Sequence, residues 1–110
     1  MPWRNSTSYT FSQIYVILNA PPESGVYALY NKALWVYVGE SENIRAQLLQ
    51  HLNANNACLT VHPNLSFSFE LIPEATRAWR QDELVRELRP ICNPWTGLNP
   101  TPSNAGWRGA

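Results

Sequence analysis

Two tyrosines stand ten residues apart, each in a short glycine-bearing apolar run: Gly25-Val26-Tyr27 and Tyr37-Val38-Gly39. Further along, Asn43, Gln47 and His51 are spaced i, i+4, i+8. On a helix these three form one stripe, beside the apolar stripe of Ile44, Leu48 and Leu52. Phenols and imidazoles hold and pass protons, and histidine does so near neutral pH. The stripe could face the tyrosines if the two tyrosines share a sheet face. Hairpin register decides that: a three-residue loop opposes them directly, and a two-residue loop sends them to opposite faces. Each feature has a plain structural alternative. Strand tyrosines pack as aromatic ladders, and a surface histidine at a helix C-terminus is favoured by the helix dipole when protonated.

The elements that must position these groups can be read from the pattern. Ser8 is placed to cap a short helix through Phe11, Ile14 and Ile17-Leu18, ended by Pro21-Pro22. Residues 24–30 and 34–39 read as two strands of a hairpin joined at Asn31-Lys32-Ala33. Ser41 is placed to cap an amphipathic helix that runs to about Asn53. A polar loop leads to a third strand over 65–72, where apolar and polar residues alternate as in a half-buried strand. A second long helix spans 74–89, with Leu84, Val85 and Leu88 on its apolar side, and Pro90 stops it. The order after the N-terminal turn is β-β-α-β-α, an α+β arrangement. Residues 1–98 form a single domain in this reading, and 99–110, rich in proline, glycine and small polar residues, form an irregular tail.

Eight acidic and eight basic residues give zero net charge, and charged residues make up 15% of the chain. Nucleic-acid binders usually carry a basic excess, because each neutralised phosphate releases counterions. Four of the basic residues, Arg77, Arg80, Arg86 and Arg89, do cluster on the last helix, interleaved with Asp82, Glu83 and Glu87. That pattern also fits a solvated face laced with ion pairs. Cys58 and Cys92 are far apart, with no paired spacing and no histidine cluster, and read as small apolar residues rather than a disulfide or zinc framework. The N-terminus lacks the apolar run of a signal peptide, and no stretch is long enough to span a bilayer. The expected setting is a reducing, cytoplasmic one.

The paired tripeptides resemble the signature of the GIY-YIG nuclease family. The resemblance extends to Ser41 and Asn43, the helix reaching His51, and the distal pattern Leu84-Val85, Pro90 and Asn93, and so covers about residues 24–93. It implies the family's three-stranded antiparallel sheet flanked by helices. It also implies phosphodiester hydrolysis, with a tyrosine, or a neighbouring histidine or tyrosine through water, as base, and with one divalent metal (Mg²⁺ or Mn²⁺) and an arginine neutralising developing charge. By this resemblance Tyr27, Tyr37 and His51 match catalytic positions, and Asn93 matches the asparagine beyond the last helix, where it could equally cap or turn.

Two positions depart from the family. Gln47 stands where its arginine is expected, and Gln81 where its metal-binding glutamate is expected. Glutamine supplies no charge and is a poor anchor for Mg²⁺. Arg45 is a weak substitute, since two residues along a helix is about 200° of rotation. Gln81 also suits a buried amide bonded to a strand tyrosine or to Gln47. Three functions follow as expectations. One is a DNA- or RNA-directed domain with hydrolysis lost or weak, contacting nucleic acid through Ser41, Asn43, Arg45, Arg77 and Arg80. Another is an active nuclease with a rearranged site. The last is a protein-interaction module or homodimer, using Trp3, Trp95 and Trp107 near the chain ends.

Overall fold

The computed structural model describes residues 7–54 and 57–93. Its centre is an antiparallel sheet with strand order β1-β4-β2-β3, formed by β1 (Tyr9–Thr10), β2 (Gly25–Tyr30), β3 (Trp35–Ser41) and β4 (Ser66–Leu71). The helices are α1 (Gln13–Asn19), α2 (Ile44–Asn53), α3 (Ala57–Thr60) and α4 (Glu74–Leu88). The α+β class and the β-β-α-β-α order hold, and the sheet has four strands rather than three.

The fourth strand, β1, falls where a helix was expected. Tyr9 pairs with Phe67, and its ring lies 5.3 Å from Phe67 and 6.4 Å from Phe69. Burying this aromatic on the sheet outweighs a start to the helix at Ser8, and Ser12 becomes the N-cap of α1. The cap of α2 also moves. Asn43 Oδ1 accepts from the Ala46 backbone amide at 3.0 Å, while Ser41 ends β3 and its hydroxyl accepts from the Asn43 amide at 2.9 Å. Within the expected polar loop, residues 57–60 wind into α3.

Alternation along the strands divides the core in two. Tyr27, Leu29, Tyr37 and Phe67 lie on one sheet face with Val16, Ile44, Leu48 and Leu59 from α1, α2 and α3. Val26, Ala28 and Val38 lie on the other, against Leu84 and Val85 of α4. Each large apolar side chain fully buried this way contributes about 1.5–3 kcal/mol. α4 ends on Arg89, which takes a left-handed conformation at φ 50°. Beyond it the chain runs along the outer edge of β3, with the Ile91 amide donating to Trp35 O (3.1 Å) and the Cys92 amide to Val36 O (2.8 Å). This return brings Cys92 and Asn93 to the sheet.

Candidate functional site

The hairpin register sets the first geometry. Asn31 Oδ1 accepts from the amides of Ala33 (2.8 Å) and Leu34 (3.1 Å), and an irregularity follows at Leu29/Tyr30. Tyr27 therefore pairs with Gly39, and Tyr37 with Leu29. The tyrosines share a face but are diagonal rather than directly opposed, with ring centroids 6.2 Å apart. Gly39 makes this possible. A Cβ there would sit 2.3 Å from the Tyr27 hydroxyl oxygen and 2.4 Å from its Cζ, so only glycine leaves room for the ring across the strand.

From α2, His51 reaches the same place. Its Nε2 is 2.7 Å from the Tyr27 hydroxyl, and its ring packs edge-on against both tyrosines. Rather than sitting on the surface, His51 is buried, at 4% exposure. Desolvation lowers its pKa from 6.5 to about 4, so the ring is neutral at pH 7. The Tyr27 phenol is pushed well above its ordinary range by burial, and further by the neighbouring Tyr37 and Glu40. His51 Nδ1 is buried and has no hydrogen-bond partner. Tyr27, Tyr37 and His51 form a phenol–imidazole cluster inside the fold, with Tyr27 and Tyr37 at 1% and 2% exposure. Gln47 lies one turn earlier on α2 and is half-buried.

The remaining expected residues lie elsewhere. Gln81 is buried, but its amide nitrogen donates to Val38 O at 3.2 Å rather than to a tyrosine or to Gln47. Asn93 does close a turn, its amide donating to Pro90 O at 3.4 Å, but its side chain is used elsewhere. Its Oδ1 accepts from the Val38 amide (2.7 Å) and its Nδ2 donates to Val38 O (2.8 Å), closing the exposed edge of β3 as a strand would. Arg77 pairs with Glu40 and donates to Ser24 Oγ at 3.0 Å. Arg80 forms a two-pronged pair with Glu70 (2.9 and 2.8 Å) and a further bond to Glu83 (2.7 Å). Both arginines project from α4, and Glu40 and Glu70 share the Val26 and Val38 face. The sheet therefore stands between these arginines and the tyrosines. Arg45 Nε donates to Ala20 O at 2.8 Å, tying α2 to the end of α1. Trp3, Trp95 and Trp107, and the tail from 99, lie outside the described residues.

A magnesium ion requires a set of hard oxygen ligands, usually with at least one carboxylate. Glu40, Glu70 and Glu83 are held by arginines, Asp82 is held by Arg86, and Gln81 is bonded to the sheet. Among the described residues, one group of three potential ligands does converge: Cys58, His62 and Cys92.

The two cysteines of that group overturn the reading of them as ordinary small residues, since Cys58 and Cys92 are joined by a disulfide. Their separation in sequence, 34 residues, gave no sign of it. They meet because Leu59 of α3 belongs to the same core cluster as Val36 of β3, whose carbonyl holds the Cys92 amide. The only local hint was Cys58 and His62 at i, i+4. No helix among the described residues is long and apolar enough to cross a membrane.

No protein-family model and no curated protein sequence matches the chain. Solved structures do. The magnesium-bound GIY-YIG N-terminal endonuclease domain of UvrC from Thermotoga maritima matches with a TM-score of 0.65 at 24% identity, over 74% of this chain and 96% of that one. A tyrosine-to-phenylalanine variant of the same domain, bound to its catalytic divalent cation, matches with a TM-score of 0.65 at 22% identity over the same shares. An asparagine-to-alanine variant matches with a TM-score of 0.61 at 23% identity, over 71% of this chain and 90% of that one. Sheet, flanking helices and near-complete coverage of those domains agree: the chain has the GIY-YIG endonuclease fold.

Proposed function

We propose that this chain is a single nucleic-acid-directed domain that keeps the endonuclease fold and has lost metal-dependent hydrolysis. One observation carries the reading. At the position where the fold's nucleases are expected to anchor their metal, Gln81 is a neutral, buried amide whose nitrogen is used to bond Val38 of β3. The absence of charge at Gln47 acts in the same direction, because arginines that stabilise phosphoryl transfer contribute about 10³ to 10⁵ in rate. What remains is the proton-handling pair Tyr27 and His51, without the positive charge that a phosphodiester requires. Ser41, Asn43 and Arg45, between the end of β3 and the first turn of α2, would offer polar groups to a backbone phosphate. Arg77 and Arg80 would have to leave their carboxylates to take part.

The test is a plasmid-nicking assay in Mg²⁺ and in Mn²⁺ at low salt, run beside a DNA- and RNA-binding measurement over a salt series. The expected result is no nicking, with binding that weakens as salt rises. Nicking that Tyr27→Phe abolishes would show a working nuclease and defeat the proposal. Absence of binding at low salt would remove its nucleic-acid part.

A second reading, a protein-interaction module, is favoured by one feature. Ile14, Tyr15, Ile17 and Leu18 of α1 are 62%, 46%, 45% and 69% exposed. Such a cluster is costly to leave in water. Solution mass of the native chain beside Ile14→Asp and Leu18→Asp decides it: a monomer that captures the same partners as both variants counts against this reading.

A further inference from the structure

We infer that Cys58, His62 and Cys92, with the two sulfurs reduced, form a binding site for one thiolate-preferring divalent cation of the zinc class. The inference does not rest on the nucleic-acid reading, and it concerns side chains outside the Tyr27–His51 pair.

Two independent elements bring the ligands together. Cys58 and His62 are one helical turn apart, and the turn is held by Val61 N donating to Ala57 O (3.3 Å), His62 N to Leu59 O (3.2 Å) and Thr60 Oγ1 to Ala57 O (3.1 Å). His62 lies just beyond the end of α3, and the turn carries it and Cys58 to the same place as Cys92. Cys92 comes from the segment fixed to β3 by its own amide bond to Val36 O. The two sulfurs and a His62 ring nitrogen all lie within 4.8 Å of one another. Ligands around a tetrahedral zinc stand about 3.3–3.8 Å apart, so side-chain rotation is enough to close the set.

The donor chemistry selects the ion. Two thiolates and an imidazole are soft to borderline ligands, which favour zinc over magnesium or calcium. Three protein ligands leave a fourth position for water. The same sulfurs form a disulfide under oxidising conditions and are thiols in a reducing compartment. A dithiol would supply the two electrons: it becomes a cyclic disulfide, and Cys58 and Cys92 each gain a proton as thiols. Binding of the cation then releases both thiol protons to solvent. Either state clamps α3 to the edge of β3, by a covalent bond in one and by the ion in the other.

The test uses the full chain, reduced with a dithiol that is then removed under anaerobic conditions, and titrated with Co²⁺ and afterwards with Zn²⁺. The expected result is a sulfur-to-cobalt charge-transfer band with tetrahedral visible bands that saturate at one equivalent and are bleached by Zn²⁺. Native mass spectrometry should show one zinc in place of two protons. Cys58→Ser and Cys92→Ser should each abolish the band. His62→Ala should weaken zinc affinity by more than the about 10–100-fold that outer-sphere changes cost. The inference is overturned if the reduced native chain shows no band, whether or not it remains folded. Unchanged affinity in His62→Ala, or equal uptake by the disulfide form, overturns it as well.

Discussion

His51 is the residue whose environment departs furthest from what its position on a helix suggests. A neutral imidazole buried between two tyrosines has a pKa of about 4, against 6.5 for the free side chain. The unfolded chain thus binds one more proton than the folded one between those values. The contribution of this neutral group is complete above pH 6.5 and is lost as pH falls towards about 4. It amounts to about 3 kcal/mol, from about 1.4 kcal/mol per pKa unit. Urea unfolding of the native chain at pH 7.5, 5.5 and 4.5 should show that loss, and His51→Gln should flatten it. A native profile that is flat through this window would mean the ring is not buried as described. Gly39 is the second constraint at this scale. Gly39→Ala would drive a Cβ into the Tyr27 ring and part the phenol from His51. A cost of about 1–3 kcal/mol is expected, as for other overpacked cores, with a changed tyrosine signal in near-ultraviolet circular dichroism. Neither constraint could be read from the sequence, because the first depends on how closely α2 packs on the sheet and the second on which residue stands across the strand.

Strands β2, β3 and β4 and helices α2 and α4 were legible because their periodicity is strong: alternation around Phe67 and Phe69, and helical spacing of Ile44, Leu48 and Leu84. β1 was not, since two residues carry no period and Tyr9 declares itself only by what it packs on. The site was legible by half. Spacing on α2 placed His51 towards the tyrosines, but no local pattern tells that Arg77 and Arg80 meet Glu40 and Glu70 on the opposite sheet face. The role of Asn93 was hidden in the same way. It belongs to the segment after α4 yet completes the edge of β3, satisfying both the amide and the carbonyl of Val38. Asn93→Ala would leave that amide without its partner, at a cost of about 1–3 kcal/mol. Hydrogen exchange read residue by residue should show the Val38 amide losing protection well before its neighbours in β2. Equal protection in variant and native chain would mean that β3 needs no such closure.

Across the molecule, two helical layers pack on opposite faces of the sheet, and one covalent tie joins α3 to the segment that follows α4. That tie links residues 34 apart, and by chain entropy its removal costs about 4 kcal/mol. In a domain near 100 residues, each kcal/mol moves the midpoint of thermal unfolding by about 4–8 °C. Reduction by a dithiol, with a chelator present so that no ion can replace the bond, should therefore lower Tm by about 15–30 °C. Cys58→Ala with Cys92→Ala should behave alike with or without the dithiol. Size is informative here as well as direction. A fall of this order means that the link spans two parts of the chain that are otherwise free to separate on unfolding. A fall of only a degree or two would mean that α3 is released without disturbing the sheet. The tie would then secure only α3, and the stability of the fold would reside in the sheet and the two long helices.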